Sequence, residues 1–208
     1  MASQGPLSPS SVVNGIPAIN VAWTSPGNAV SSNDSYATVT LFDSQSKYLQ
    51  ATGFGFSITS GATINGIVAE IERHEVSAQP VADSSLLLVK AGVPSGTDHA
   101  SGTNWPSSDA YATYGSSSDL WGLSWTDSEI NASDFGVALL MSEGGGGSFD
   151  AFVDHMRITV YYTEAGPTTP QALTATPTAS ASIVAVKLNR PTPPKGVFDP
   201  VLVKTSWF

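Results

Sequence analysis

The chain has 208 residues, no cysteine and a formal net charge of -9 at pH 7, and about a third of it is serine, threonine and glycine. With 41% hydrophobic and only 12% charged residues, it is too apolar for a disordered protein and too poor in charged helix formers for a helical bundle. The absence of cysteine excludes disulfide frameworks, thiolate catalysis and cysteine-based zinc sites. The composition therefore favours one domain of many short strands.

The charges are distributed unevenly along the chain. Residues 21–164 carry 16 acidic and 4 basic side chains, whereas residues 165–208 carry one acidic and four basic ones. An acidic body repels nucleic-acid phosphates, so we expect no nucleic-acid partner. The N-terminus lacks the basic and apolar regions of a signal peptide, and no apolar run approaches about 18 residues. We therefore expect a soluble protein with no membrane partner.

The first predicted element is an extended N-terminal arm over residues 1–20, where three prolines disfavour regular structure. A β-sandwich domain is predicted to follow over residues 21–164. Apolar and polar residues alternate, or form a short apolar run, in four predicted strands at 36–42, 48–58, 64–75 and 86–89. In the third of these, Ile67 and Ile71 lie on one face and Glu70 and Glu72 on the other.

The second half of the domain begins with a loop-like stretch over 94–119 that includes a short strand at 111–114. Thr126 and Glu129 have the spacing of a capping box, which predicts a short helix. Two last strands, at 136–142 and 149–163, flank a glycine-rich hairpin connection. Alternation in the last strand predicts these inward residues: Phe152, Met156, Ile158, Val160 and Tyr162. It predicts these outward ones: Ala151, Val153, His155, Arg157, Thr159 and Tyr161.

The composition changes after residue 164. Residues 165–182 are rich in threonine, alanine and proline and predict an extended linker. Residues 183–208 contain two strand-sized segments, 183–188 and 197–208, which are too short to fold alone and need a sheet to join. We expect this C-terminal arm to bind a partner through its apolar residues. They are Ile183, Val184, Val186, Leu188, Val201, Leu202, Val203, Trp207 and Phe208.

About eight strands, with helix only in one connection, predict an all-β fold. The expected architecture is an antiparallel β-sandwich of jelly-roll type with extended N- and C-terminal arms. Strand order cannot be derived from the pattern.

Catalytic and metal motifs are sparse. Ser44 and Lys47 have the Ser-x-x-Lys spacing but lack its companion motifs, and the three histidines lie more than twenty residues apart. Glu70 and Glu72 lie about 7 Å apart by strand spacing, within the range for inverting glycoside hydrolysis. They would instead form ion pairs with Arg157 and His155 if the last strand pairs with theirs. We predict no catalytic, cofactor or metal site.

Two ligand hypotheses remain beside that prediction. Loop aspartates could hold a structural calcium ion; they are Asp98, Asp109 and Asp119. Aromatic residues crowd the stretch from 105 to 125 and could form a glycan-binding platform, the candidates being Trp105, Tyr111, Tyr114 and Trp121. The competing interpretation of these rings is that they close one end of the core.

Several segments together resemble a known domain. They are VAWTSPGNA at 21–29, DSYA at 34–37, GATINGI at 61–67, SDLWGL at 118–123 and VDHMRITVYY at 153–162. Over residues 20–163 the chain is similar to a β-sandwich domain of structural proteins of tailed-bacteriophage particles. This resemblance brings no catalytic residues with it.

The resemblance implies a non-enzymatic virion protein, made in the host cytoplasm, that serves as capsid decoration or as a head or tail accessory protein. Its expected partners are other capsid or tail proteins and copies of itself, bound through the C-terminal arm. The alternative is a carbohydrate-binding or receptor-recognition module of a virion appendage.

Overall fold

The computed structural model describes residues 1–17, 20–76, 81–142 and 147–166, and these form two facing antiparallel sheets. The strands are β1 Ala2–Leu7, β2 Ser11–Asn14, β3 Ala37–Phe42, β4 Leu49–Thr52, β5 Thr63–Glu75, β6 Ser85–Lys90, β7 Val93–Ser95, β8 Ala110–Gly115, β9 Gly136–Leu140 and β10 Ser148–Thr163. Two short helical pieces complete the elements: a 3-10 helix at Pro26–Ala29 and α1 at Asp127–Ile130. Among the described residues, no helix is long and apolar enough to cross a membrane.

The strand order is that of a jelly roll. Sheet A has the order β1-β10-β5-β8, with β3 also paired to β10, and sheet B has the order β2-β4-β9-β6-β7. Without β1 and β2, the two sheets become β3-β10-β5-β8 and β4-β9-β6-β7, which is the eight-strand arrangement of two interleaved Greek keys. The predicted antiparallel β-sandwich is therefore confirmed.

The core lies between the sheets, and the alternation of the strands supplies it. Ile67, Ala69 and Ile71 of β5 are fully buried, as the sequence predicts. Sheet B faces them with Leu86 and Leu88 of β6, which are also fully buried. Burying each large aliphatic side chain contributes roughly 1.5–3 kcal/mol, so this shared interior is the main favourable term in folding.

Residues 2–7 and 11–14 are strands of the sandwich, whereas the sequence predicts residues 1–20 as an extended arm outside the domain. β1 pairs with β10 in sheet A, and β2 pairs with β4 in sheet B. The side chain of Asn14 accepts a hydrogen bond from the Trp23 N–H at 2.7 Å and donates one to the Trp23 carbonyl at 3.0 Å. The segment is extended, as predicted, but its backbone groups are paired within its own chain.

The first half of β10 faces the opposite way from the prediction. Phe149, Ala151 and Val153 are buried in the core, whereas Phe152 lies on the outer face. The register with β5 shifts between Val153 and His155, so a β-bulge at this point reverses the alternation. After the bulge, the order is as predicted.

Two further predicted elements have different outcomes. The strand predicted at 48–58 ends at Thr52, because Gly53 and Gly55 adopt positive φ angles of 74° and 70°. The capping box is confirmed: the Glu129 N–H donates to the Thr126 hydroxyl at 3.2 Å, and the Thr126 N–H donates to the Glu129 carboxylate at 2.9 Å. Most of the predicted linker and the whole C-terminal arm, residues 167–208, lie outside the described residues.

Candidate functional site

The outer face of sheet A carries a row of charged side chains from β5 and β10. Glu70 lies directly across from Arg157, and Glu72 lies across from His155. The Arg157 guanidinium donates two hydrogen bonds to the Glu70 carboxylate, from Nε at 2.9 Å and from Nη2 at 3.0 Å. The ion pair predicted from strand spacing is thus confirmed. The bond to Glu70 also raises the pKa of Arg157.

The second pair on this face differs from the prediction. Instead of forming an ion pair with Glu72, His155 hydrogen-bonds through Nδ1 to the Tyr111 hydroxyl at 2.8 Å and through Nε2 to the Ser8 hydroxyl at 2.9 Å. His155 is only 7% exposed. Burial lowers its pKa, and the neighbouring charge of Arg157 lowers it further. The neutral imidazole is therefore the favoured form at this position.

Tyr111 links the two pairs. The guanidinium carbon of Arg157 lies 3.8 Å from the centre of the Tyr111 ring, which is a cation–π contact. Burial raises the pKa of Tyr111, and a hydrogen bond to Glu72 raises it further. We call the set Glu70, Glu72, Tyr111, His155 and Arg157 the charged face.

A cluster of aromatic side chains lies beside the charged face on the outer side of sheet A, near the C-terminal end of β5. The His74 ring stacks on Phe152 with 4.7 Å between ring centroids, and Tyr36 packs edge-on against both. Asp109 accepts a hydrogen bond from the Tyr36 hydroxyl at 2.8 Å and lies 2.6 Å from His74 Nδ1. The bond to Asp109, more than any other contact, raises the pKa of Tyr36 to about 12.

The predicted glycan platform is not an exposed surface. Trp105, Tyr114 and Trp121 are buried at 5% exposure or less, so they cannot stack on a sugar ring. Tyr111 is the one member left partly exposed, and Arg157 already lies over its ring. The competing interpretation, that these rings belong to the core, is the correct one.

Trp105 and Tyr114 surround a buried ion pair that the sequence analysis missed. Asp83 pairs with Arg73 inside the domain and accepts hydrogen bonds from Trp105 Nε1 at 2.8 Å and from the Tyr114 hydroxyl at 2.7 Å. Burial lowers the pKa of Arg73 and raises that of Tyr114 to about 12. The sequence offers one signal of this pair. Arg73 follows Glu72, so strand alternation places its charged side chain on the apolar face of β5 that packs in the core.

The loop aspartates suggested as calcium ligands have separate protein partners. Asp98 accepts the Leu86 and Ala100 N–H groups, and Asp119 accepts the Trp121 N–H at 2.7 Å and lies 2.6 Å from His99. Burial acts to raise the pKa of Asp119, but its contacts with His99 and Trp121 outweigh that effect and lower it. Within the described residues, no three metal-ligating side chains come together.

Comparisons with known proteins do not show which family the chain belongs to. No protein-family model matches the chain, and no curated protein matches it. A solved structure titled "CBM4 structure and function" is similar over 62% of this chain and 85% of its own, with 13% sequence identity and a TM-score of 0.35. A likeness at this level carries no argument about what the chain binds.

Proposed function

We propose that the chain is a non-enzymatic structural protein of a tailed-bacteriophage particle, held on the particle through residues 183–208. The observation that supports the proposal is that the described residues already form two facing sheets around a core of their own. Residues 1–166 supply every strand of both described sheets and one continuous core. In this proposal, the apolar residues of the C-terminal arm bind a different polypeptide.

The chemistry of the charged face supports a binding or structural role over catalysis. An inverting glycosidase needs one carboxyl group that stays protonated to donate to the leaving group. Glu70 instead receives two hydrogen bonds from Arg157, so both of its carboxylate oxygens are engaged by a protein cation and neither is free to face a leaving group. Glu70 and Arg157 thus have the features of an ordinary cross-strand ion pair.

The arm has enough apolar surface to hold the protein on a particle. Burying Trp207 and Phe208 against a neighbour would contribute roughly 2–3 kcal/mol each. A decoration or accessory protein is present in many copies, and contacts between copies would multiply that weak attachment through avidity. The acidic body, with a deficit of basic side chains, suits a surface exposed to solvent.

Deleting residues 183–208 tests the proposal directly. Purified particles carrying the shortened chain should lose most copies of it, as quantified against the major capsid protein. The pair Trp207→Ala and Phe208→Ala should also lower the copy number, whereas Thr205→Ala and Ser206→Ala form the matched control and should leave it unchanged. Full occupancy after the deletion would refute attachment through the arm.

The alternative, carbohydrate or receptor recognition, stays a prediction without the platform first proposed for it. A glycan array comparing the unaltered chain with Tyr111→Ala would test the remaining partly exposed ring.

A further inference from the structure

Four of the five strands at the edges of the two sheets are protected against further pairing. β1 contains Pro6 and an irregular register between Gln4 and Leu7. The outer edge of β3 exchanges backbone hydrogen bonds between Thr38 and Thr24. β2 has only four residues, and β7 has three, one of them a proline. Natural sheets use such devices to prevent edge-to-edge association.

β8 is the exception. Its sequence, Ala-Tyr-Ala-Thr-Tyr-Gly, contains no proline and no charged residue. Its register with β5 is continuous from Ala110 to Gly115. An uncharged, regular edge of six residues is the kind of strand that accepts another strand beside it.

The geometry of β5 shows which backbone groups of β8 point outward. The Ile67 N–H donates to Asp119 and its carbonyl accepts from Trp121, so Ile67 directs both groups to the β8 side. By alternation, so do Ala69, Ile71 and Arg73, and their partners Tyr114, Ala112 and Ala110 form the hydrogen-bonded pairs.

The residues between these partners, Tyr111 and Thr113, therefore direct their N–H and C=O groups away from β5. Among the described residues, no backbone hydrogen bond beyond the ladder with β5 involves β8. Thr113 is exposed, and its side chain lies on the same outer face of sheet A as Glu70. The edge at Tyr111 and Thr113 is thus an open row of donors and acceptors.

We propose that this edge binds residues 183–188 of a neighbouring copy as an added strand. The inference rests on the proposed function, in which the C-terminal arm binds another polypeptide. The segment, Ile-Val-Ala-Val-Lys-Leu, has the same six-residue length as β8. Its alternation places Val184, Val186 and Leu188 on one face and Lys187 on the other.

Charge and apolar surface set the orientation of the added strand. When Val184 and Val186 lie on the inner side, they extend the apolar layer formed by Ala112 and Tyr114 of β8. Lys187 then lies on the outer side, two strand positions or about 10 Å from Glu70 and Glu72 of β5, with its long side chain able to extend toward them. The basic arm and the acidic body thus attract each other at this edge.

The linker is long enough for a neighbour to supply the strand. The end of β10, Thr163, pairs with Thr63, whereas Thr113 of β8 pairs with Glu70, so the two positions are about 10 Å apart across the sheet and roughly 23 Å apart along it. Residues 165–182 contain three prolines and span roughly 55 Å when extended. This length is about twice what the chain's own edge requires, so it also suffices to reach the edge of another copy.

A proline at position 113 tests the edge in the full-length chain. Thr113→Pro removes the outward N–H but none of the groups that pair with β5, so β8 itself should persist. Sedimentation should show concentration-dependent self-association of the unaltered chain, weakened at least tenfold in Thr113→Pro. Thr113→Val keeps the N–H and is the matched control. Equal association of all three chains would overturn the proposal.

Engineered cysteines identify the strand donor and do not depend on the proline variant folding. Because the chain has no cysteine, full-length Thr113→Cys can be mixed with full-length Ala185→Cys and oxidised. A crosslinked dimer of the two variants is expected. A third chain carries both substitutions. If a disulfide forms within this chain but the mixed single variants give no dimer, the strand is the chain's own and the proposal is overturned.

The particle assay separates this inference from the proposed function. If Thr113→Pro leaves the copy number unchanged while deletion of 183–208 abolishes it, the arm binds another particle protein and only the β8 inference fails. If the arm links copies through β8 but its deletion leaves the copy number unchanged, only the proposed attachment fails.

Discussion

At the scale of single residues, Asp83 is the centre of the buried polar cluster. Its side chain is fully buried, and Arg73, Trp105, Tyr114 and the Ser101 N–H all bond to its two oxygens. Removing one partner of a buried ion pair leaves an uncompensated charge inside the protein.

We expect Asp83→Ala to lower the free energy of unfolding by about 3–5 kcal/mol, measured by urea denaturation. The double variant Arg73→Met with Asp83→Leu removes both charges and should recover part of that loss. A cost below about 1 kcal/mol for Asp83→Ala would show that water or a rearranged side chain compensates Arg73.

His155 should make stability depend on pH. An unfolded histidine titrates near about pH 6.5. Burial lowers the pKa of His155 in the folded protein, so the folded state binds fewer protons than the unfolded state between its lowered pKa and about 6.5. The stabilisation by neutral His155 is therefore complete above that range and is lost as the pH falls through the folded pKa.

We expect the free energy of unfolding to fall between pH 8 and pH 5, and to fall less in His155→Gln. Reversible urea unfolding at each pH measures both curves. Ser8→Ala is the control, because it removes one hydrogen bond but keeps the imidazole, so its curve should run parallel to that of the unaltered chain. Identical pH dependence in His155→Gln would assign the effect to other groups.

At the scale of elements, the sequence predicts strands where alternation is uninterrupted. From Ile67 to His74 both faces of β5 are as expected, and the opposition of Glu70 to Arg157 follows from that regularity. β10 shows the limit. One extra residue near Asp154 moves each earlier side chain of β10 to the opposite face of the sheet. The alternation of apolar and polar residues does not show where such an extra residue lies.

Elements that depend on distant partners were also beyond prediction. β1 contains Gly5 and Pro6, which disfavour a strand locally, yet it pairs with the far end of the chain in β10. The rings of Trp105 and Trp121 gave a similar difficulty, because the sequence shows their clustering but not which side of the sheets they occupy. Long-range packing decides both cases.

At the scale of the whole molecule, the described body is closed by its own first and last strands. β1 pairs with β10, so the beginning of the chain and residues 158–162 lie side by side in sheet A. One core cluster runs from Val12 to Val160. A chain ending at Gly166 keeps all of these contacts.

We therefore expect the chain ending at Gly166 to unfold cooperatively in urea with the same midpoint and slope as the full-length chain, at concentrations where sedimentation shows the full-length chain to be monomeric. Four buried tryptophans report the transition, since the shortened chain loses only the fifth; they are Trp23, Trp105, Trp121 and Trp125. A chain ending at Ser182 keeps the linker and separates its effect from that of residues 183–208.

If both shortened chains unfold at a much lower urea concentration than the full-length chain, residues 183–208 pack on their own body. The slope gives an independent measure, because it scales with the surface exposed on unfolding, and a segment that folds with the body increases that surface. Equal slopes for all three chains would leave the arm outside the cooperative unit, which attachment to a second polypeptide requires.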